Sequence, residues 1–137
     1  MTIVYPVIFT KTNDNKDTYL VEIPDMKGFT EGHGLADAVS MARDYIGGYC
    51  MEKDDADIPK ATEPTEIDIS KSEFADGENT FIALVDLDID AYRRKMMTRA
   101  VRKNVSIPEW MDKAAKKEHI NVSRVLQEAL IQKIGVR

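Results

Sequence analysis

Residues 2–10, Thr-Ile-Val-Tyr-Pro-Val-Ile-Phe-Thr, are a run of β-branched and aromatic residues with the composition of a strand. Pro6 has no N–H to give to a ladder, which predicts an edge strand or a bulge at that point. Turn formers crowd residues 12–17, and Thr18-Tyr-Leu-Val-Glu-Ile23 follows as a second strand, so the two predict a hairpin. After the turn Pro24-Asp-Met-Lys-Gly28, residues 29–33 read as a short third strand. Gly34 then opens a helix, because Leu35, Val39, Ala42, Ile46 and Tyr49 recur at three- and four-residue spacing, with Cys50 on the same face. Residues 52–78 lose the pattern and predict a loop that buries little apolar surface. Thr80-Phe-Ile-Ala-Leu-Val-Asp86 restores it as a buried strand. The order β-β-β-α-loop-β predicts an α+β layer with the helix on one sheet face.

A different pattern starts after a short basic connector at 91–97. Along 98–108, Val101, Val105 and Ile107 share one side of an extended segment, while Arg102, Asn104 and Ser106 share the other. Pro108 suits the first position of a helix, Glu109 and Asp112 suit its positive first turn, and Lys116 and Lys117 its last. That helix is expected to bury Met111, Ala114, Ala115 and part of Trp110, with His119 as a charge complement at its end. Asn121 is a good N-cap for a second helix, whose stripe runs through Val122, Val125, Leu126, Ala129, Leu130, Ile131 and Ile134 before Gly135 stops it. A strand and two helices in about forty residues cannot bury a core alone. Two copies pairing their strands antiparallel satisfy both the strand and the apolar stripe.

Charge sharpens this division. Residues 1–90 hold 7 Lys+Arg against 20 Asp+Glu, a balance of −13, and residues 91–137 hold 12 against 4, a balance of +8. An acidic body with a basic tail points to an anionic ligand for the tail, nucleic acid foremost. The segment 52–78 alone carries ten acidic residues and three lysines. Candidate chemistry is sparse: one cysteine, two histidines, no glycine-rich phosphate loop and no H-E-x-x-H pattern. No catalytic group, metal site or cofactor is expected, and an acidic surface without chemistry suits a basic protein partner. The first six residues have neither a basic nor a long apolar region, and no stretch is apolar enough for a membrane. A cytoplasmic protein with no membrane partner is therefore the expectation.

Residues 99–135 resemble a ribbon-helix-helix DNA-binding domain. In that fold two copies form a β-ribbon that enters the major groove. The resemblance implies base reading by Arg102, Asn104 and Ser106, phosphate clamping at the second helix by Asn121, Val122 and Ser123, and a dimer core of Val105, Ile107, Val125, Leu126 and Leu130. The body carries Tyr5-Pro-Val-Ile-Phe, Thr18-Tyr-Leu-Val-Glu-Ile-Pro-Asp, Gly28-Phe-Thr-Glu-Gly and Leu35-Ala-Asp-Ala-Val-x-x-Ala. This ordered set is similar to the N-terminal domain of HicB antitoxins, a family that joins a degenerate, partial RNase H-like domain to a ribbon-helix-helix or helix-turn-helix tail. It implies a toxin-binding domain over 1–90 with an acidic insertion at 52–78, and a DNA-binding domain over 98–137. It also implies a HicA-like toxin as partner, small, basic and RNA-cleaving, met around Asp25, Phe29 and Glu31. Operator DNA is the second implied partner, bound by a homodimer or a higher oligomer built from it. Three alternatives stand beside this reading: a stand-alone ribbon-helix-helix regulator with a ligand-sensing body, a helical hairpin used only for dimerisation, and an RNase H-like nuclease. The last requires a carboxylate on the first strand, and Ile3 to Phe9 has none.

Overall fold

The computed structural model describes residues 1–136 and divides them into two compact units, Met1–Arg99 and a second beginning at Ala100. The first unit is a four-stranded antiparallel sheet of β1 (Thr2–Lys11), β2 (Thr18–Ile23), β3 (Gly28–His33) and β4 (Thr80–Asp88), in the order β3-β2-β1-β4. The β1–β2 hairpin turns through Asn15 and Asp17, both left-handed. β1 therefore lies inside the sheet, which corrects the edge position expected from Pro6. The β1–β2 register stops at Ile8↔Glu22, so Pro6 pairs only with Leu84 of β4 and its missing N–H removes no bond to β2.

Helix α1 (Leu35–Cys50) packs on the sheet face formed by Ile3, Tyr5, Val7, Phe9, Tyr19, Val21 and Ile23. Its buried residues are Ala38, Ala42, Ile46, Gly47 and Cys50, while Leu35 and Tyr49 are exposed. Of the residues that periodicity selects, Ala42, Ile46 and Cys50 are buried and Val39 packs against the core, so only the stripe's ends, Leu35 and Tyr49, give way to Ala38 and Gly47. The reason lies on β3, where Gly32 lets the helix backbone come close: a Cβ there would stand 2.5 Å from the Ala38 nitrogen. Such an approach demands small residues on the helix, and Ala38 and Ala42 supply them. Gly34 starts the helix at φ 88° without a side-chain cap; Asp37 reaches back instead to accept the His33 N–H at 2.8 Å.

These glycines yield a paired prediction. Gly32→Ala presses a methyl into helix backbone and is expected to destabilise the unit by about 1–3 kcal/mol. Gly48→Ala meets nothing within 4 Å. It should stabilise by up to about 1 kcal/mol through helix propensity. Thermal melting of the two variants checks both signs.

Residues 52–78 are not the detached loop that composition predicts. They contain four short 3₁₀ turns and form a strap. Ile58, Ile67, Ile69 and Phe74 turn inward to half-buried positions, while all ten carboxylates stay exposed. The strap reaches the sheet face opposite α1, where Ser72 donates to Glu22 and Phe74 packs edge-on against Phe29 at 5.4 Å. Residues 91–97, expected as a connector, mostly belong to a further helix α2 (Ile89–Met96), capped by Asp88 through the Ala91 N–H. Tyr92 of α2 packs where Gly47 leaves no side chain and donates to the Asp44 carboxylate at 2.8 Å.

The second unit contains α3 (Glu109–Lys117) and α4 (Val122–Ile134). Pro108 caps α3 rather than opening its first turn. His119 sits in the left-handed region at φ 55°, and the Ile120 N–H returns to the Ala115 carbonyl, so His119 forms the turn that ends α3. Asn121 caps α4 by accepting the Arg124 N–H at 3.1 Å, and Gly135 ends it at φ 80°. Residues 98–107 have no regular secondary structure in the single chain. A strand needs a hydrogen-bonded neighbour, and one copy of this segment has none.

Candidate interaction surfaces

No described residue of the second unit is buried. Val105 is 58% exposed, and Met111, Val122 and Val125 are exposed too. The expectation that α3 buries Met111, Ala114, Ala115 and part of Trp110 is therefore corrected for the isolated chain, where Trp110, Met111 and Ala114 are exposed and Ala115 is half-buried. The apolar residues do converge. Val105, Ile107, Met111, Ala115, Ile120, Val122, Val125, Leu126 and Ala129 line one groove of about 430 Å³. Its lining is almost wholly apolar, and a surface of that kind favours an apolar occupant.

The groove sorts the residues expected in this unit. Four of the five expected dimer-core residues, Val105, Ile107, Val125 and Leu126, line it; Leu130 stands outside. Arg102, Asn104 and Ser106 are exposed and absent from the lining, so the alternation of the segment separates a polar row from an apolar one. Val122 turns its side chain into the groove, which leaves its backbone as its polar contribution. At the start of α4 the Asn121 side chain occupies the Arg124 N–H, while the N–H groups of Val122 and Ser123 have no acceptor among the described residues. Such free donors at a helix N-terminus favour an anion. Ile120 and Ala129 were not assigned to the dimer core from sequence. The turn at His119 that aims Ile120 inward is a backbone feature without a sequence signature of its own.

In the first unit, the three residues expected to meet a partner have unequal freedom. Asp25 accepts from Thr62 through both its N–H, at 3.1 Å, and its hydroxyl, at 2.6 Å, so it latches the strap. Phe29 is similarly engaged by Phe74 but keeps an exposed edge, and Glu31 is exposed on β3. Of the ten strap carboxylates, only Asp55 forms an ion pair among the described residues, with Arg93 at 2.8 Å. Divided at the structural boundary, the charge stands at 11 Lys+Arg against 20 Asp+Glu up to Arg99, and 8 against 4 from Ala100 onward. Placing α2 in the first unit thus softens the split to −9 and +4 without reversing it.

Burial pushes the Cys50 thiol and the Tyr5 phenol above their ordinary pKa values, so both are protonated packing groups at neutral pH. Among the described residues no three His, Cys, Asp or Glu side chains come together to hold a metal ion. Among the described residues, too, no helix is long and apolar enough to cross a membrane.

Comparison with known proteins matches residues 5–130 to the family described as HicB-like antitoxin of bacterial toxin-antitoxin system. A structure described as a toxin-antitoxin complex from Streptococcus pneumoniae is similar at 24% identity and a TM-score of 0.60, over 97% of this chain and 99% of that one. The crystal structure of the Burkholderia pseudomallei antitoxin HicB is similar at 23% identity and a TM-score of 0.47, over 97% of both chains. No curated protein matches. At these identities the Streptococcus likeness speaks for a shared fold.

Proposed function

The chain belongs to the HicB-like antitoxin family, and from that premise we propose that it neutralises a small, basic, RNA-cleaving toxin of the HicA kind and represses its own operon as a DNA-bound homodimer. In this reading the first unit is a degenerate RNase H-like β-β-β-α-β domain and the second a ribbon-helix-helix. The observation that carries the proposal is the contrast between the two units. The first closes its own core, while the second presents an apolar groove that a single copy leaves open. A second copy supplies both the missing strand and the missing cover. Neutralisation is by occlusion: the acidic unit covers the basic face on which the toxin binds RNA. Complementary charge speeds that encounter and disfavours wrong partners. Phe29 and Glu31 are the contacts on the sheet, and Asp25 acts by holding the strap beside them. No reaction is assigned to the chain.

The reading is tested by coexpression with the neighbouring reading frame. A small basic protein is expected to copurify, and its RNase activity to return when the complex is dissociated. A domain prediction accompanies it. A fragment ending at Arg99, which keeps α2 whole, should fold, remain monomeric and still neutralise the toxin, because every proposed toxin contact lies within it. Loss of neutralisation by a fragment with an intact circular dichroism spectrum would place the inhibitory surface in the second unit.

A further inference from the structure

We propose that Arg94, Lys95 and Arg99 form an arm that tracks DNA phosphates flanking the base-reading segment and supplies much of the chain's sequence-independent affinity for duplex DNA. The proposal rests on the DNA-binding reading above and extends it to residues outside the ribbon-helix-helix face. Residues 93–103 contain Arg93, Arg94, Lys95, Arg99, Arg102 and Lys103 and no acidic residue. The structure divides this run sharply. Arg93 is consumed by the first unit: it donates to the Met51 and Lys53 carbonyls and to the carboxylates of Asp55 and Asp90, with its side chain only 21% exposed. Arg94, Lys95, Arg99 and Lys103 are exposed, and none forms an ion pair among the described residues. Their charge is left over in a chain that has many free carboxylates.

Covalent reach turns that surplus into a location. Arg99 lies three residues before Arg102, which puts their Cα atoms at most about 11 Å apart when extended. Lys95 lies seven before it, at most about 25 Å. Both distances are shorter than one turn of duplex, about 34 Å. Whatever the orientation of the two units, a protein that places Arg102 at a base edge holds these cations within one turn of it. Duplex DNA carries one phosphate charge per about 1.7 Å of axis, so acceptors are within reach throughout. Arg94 and Lys95 also project from a helix anchored by Tyr92 and Arg93, so less ordering entropy is lost when they bind. Contacts of this class position a protein on DNA and carry no sequence information.

The test compares the full chain with R94Q/K95Q/R99Q on two duplexes of about 30 bp, long enough to span nearly three turns. One is drawn from the DNA upstream of the chain's own reading frame, and the other is its scrambled counterpart. Binding is titrated across a salt series. Three charges in each of two copies should lower the slope of log affinity against log salt by up to roughly five, at about 0.9 per phosphate contact. Affinity for both duplexes should fall by roughly tenfold or more at moderate salt. Their ratio should stay the same, and so should toxin neutralisation and dimer mass. An unchanged slope, or a loss confined to the upstream duplex, overturns the arm. Should the triple variant misfold, Arg99→Gln alone lies outside every helix and reads the same effect as a slope change of roughly one to two. A wild-type chain that binds neither duplex brings down the DNA-binding reading itself, an outcome distinct from wild-type binding with an unchanged variant slope.

Discussion

Leu126→Asp is expected to convert the protein to a monomer and to abolish DNA binding while the first unit stays folded. Leu126 is the least exposed residue of α4 and lines the groove among Val105, Ile107 and Val125. When a second copy covers the groove, a carboxylate at 126 is moved from water into apolar surroundings, and two-fold symmetry places two such charges in one interface. Nothing in the groove offsets them, since no lining residue is charged. The cost is several kcal/mol per ion, enough to weaken dimerisation by more than about a thousandfold. No described residue of the second unit is buried in a single copy, so in the proposed dimer its folding and its dimerisation are one event. Sedimentation should report half the wild-type mass, and helical signal from α3 and α4 should fall. The melting transition of the first unit should persist, because its core lies wholly before Ala100. A variant that keeps the dimer mass would show that the groove is not the interface.

Several parts of this architecture are legible from residue order, and each has a local cause. The β2 boundaries at Thr18 and Ile23 coincide with the predicted strand because a β-branched run is closed on both sides by turn formers. The caps of α4, Asn121 and Gly135, are equally local. The face of α1 is legible at its centre, where Val39, Ala42, Ile46 and Cys50 meet the core, but not at its ends, because the packing of a helix depends on what it meets. Bulky Leu35 and Tyr49 stay outside since Gly32 draws the helix in through Ala38 and Ala42. Helix α2 escapes for the opposite reason. Its apolar residues Ile89, Tyr92 and Met96 do recur at helical spacing, but eight residues are too short a window for that to stand out, and tertiary bonds from Tyr92 and Arg93 hold the helix in place. In the strap, ten carboxylates mask the inward spacing of Ile58, Ile67, Ile69 and Phe74. The candidate site follows the same rule. The polar row Arg102, Asn104 and Ser106 is visible as alternation, whereas the use of Asp25 as a latch depends on Thr62, 37 residues away.

Base reading and phosphate clamping make different demands on DNA, and variants should separate them. Arg102→Ala and Asn104→Ala remove side chains from the polar row, opposite the groove-lining Val105 and Ile107. Arg bonds guanine O6 and N7 with two donors, and Asn matches adenine N6 and N7. Each loss should cost about 1–3 kcal/mol per recognised base and relax sequence preference at one position of each half-site. In a symmetric dimer that cost is incurred twice, so operator affinity should fall by roughly one to four powers of ten. Scrambled duplex loses no base contact, so its affinity should change far less. Ser123→Ala removes the hydroxyl beside the free N–H groups that the proposed DNA complex assigns to a phosphate, and should weaken specific and scrambled duplex by similar factors. Toxin neutralisation should be untouched by all three variants, whose residues follow Arg99. The titrations belong at one fixed salt concentration, because counterion release otherwise swamps the comparison. If Arg102→Ala and Asn104→Ala leave operator preference intact, the extended segment sits in another register, or the second unit serves dimerisation alone.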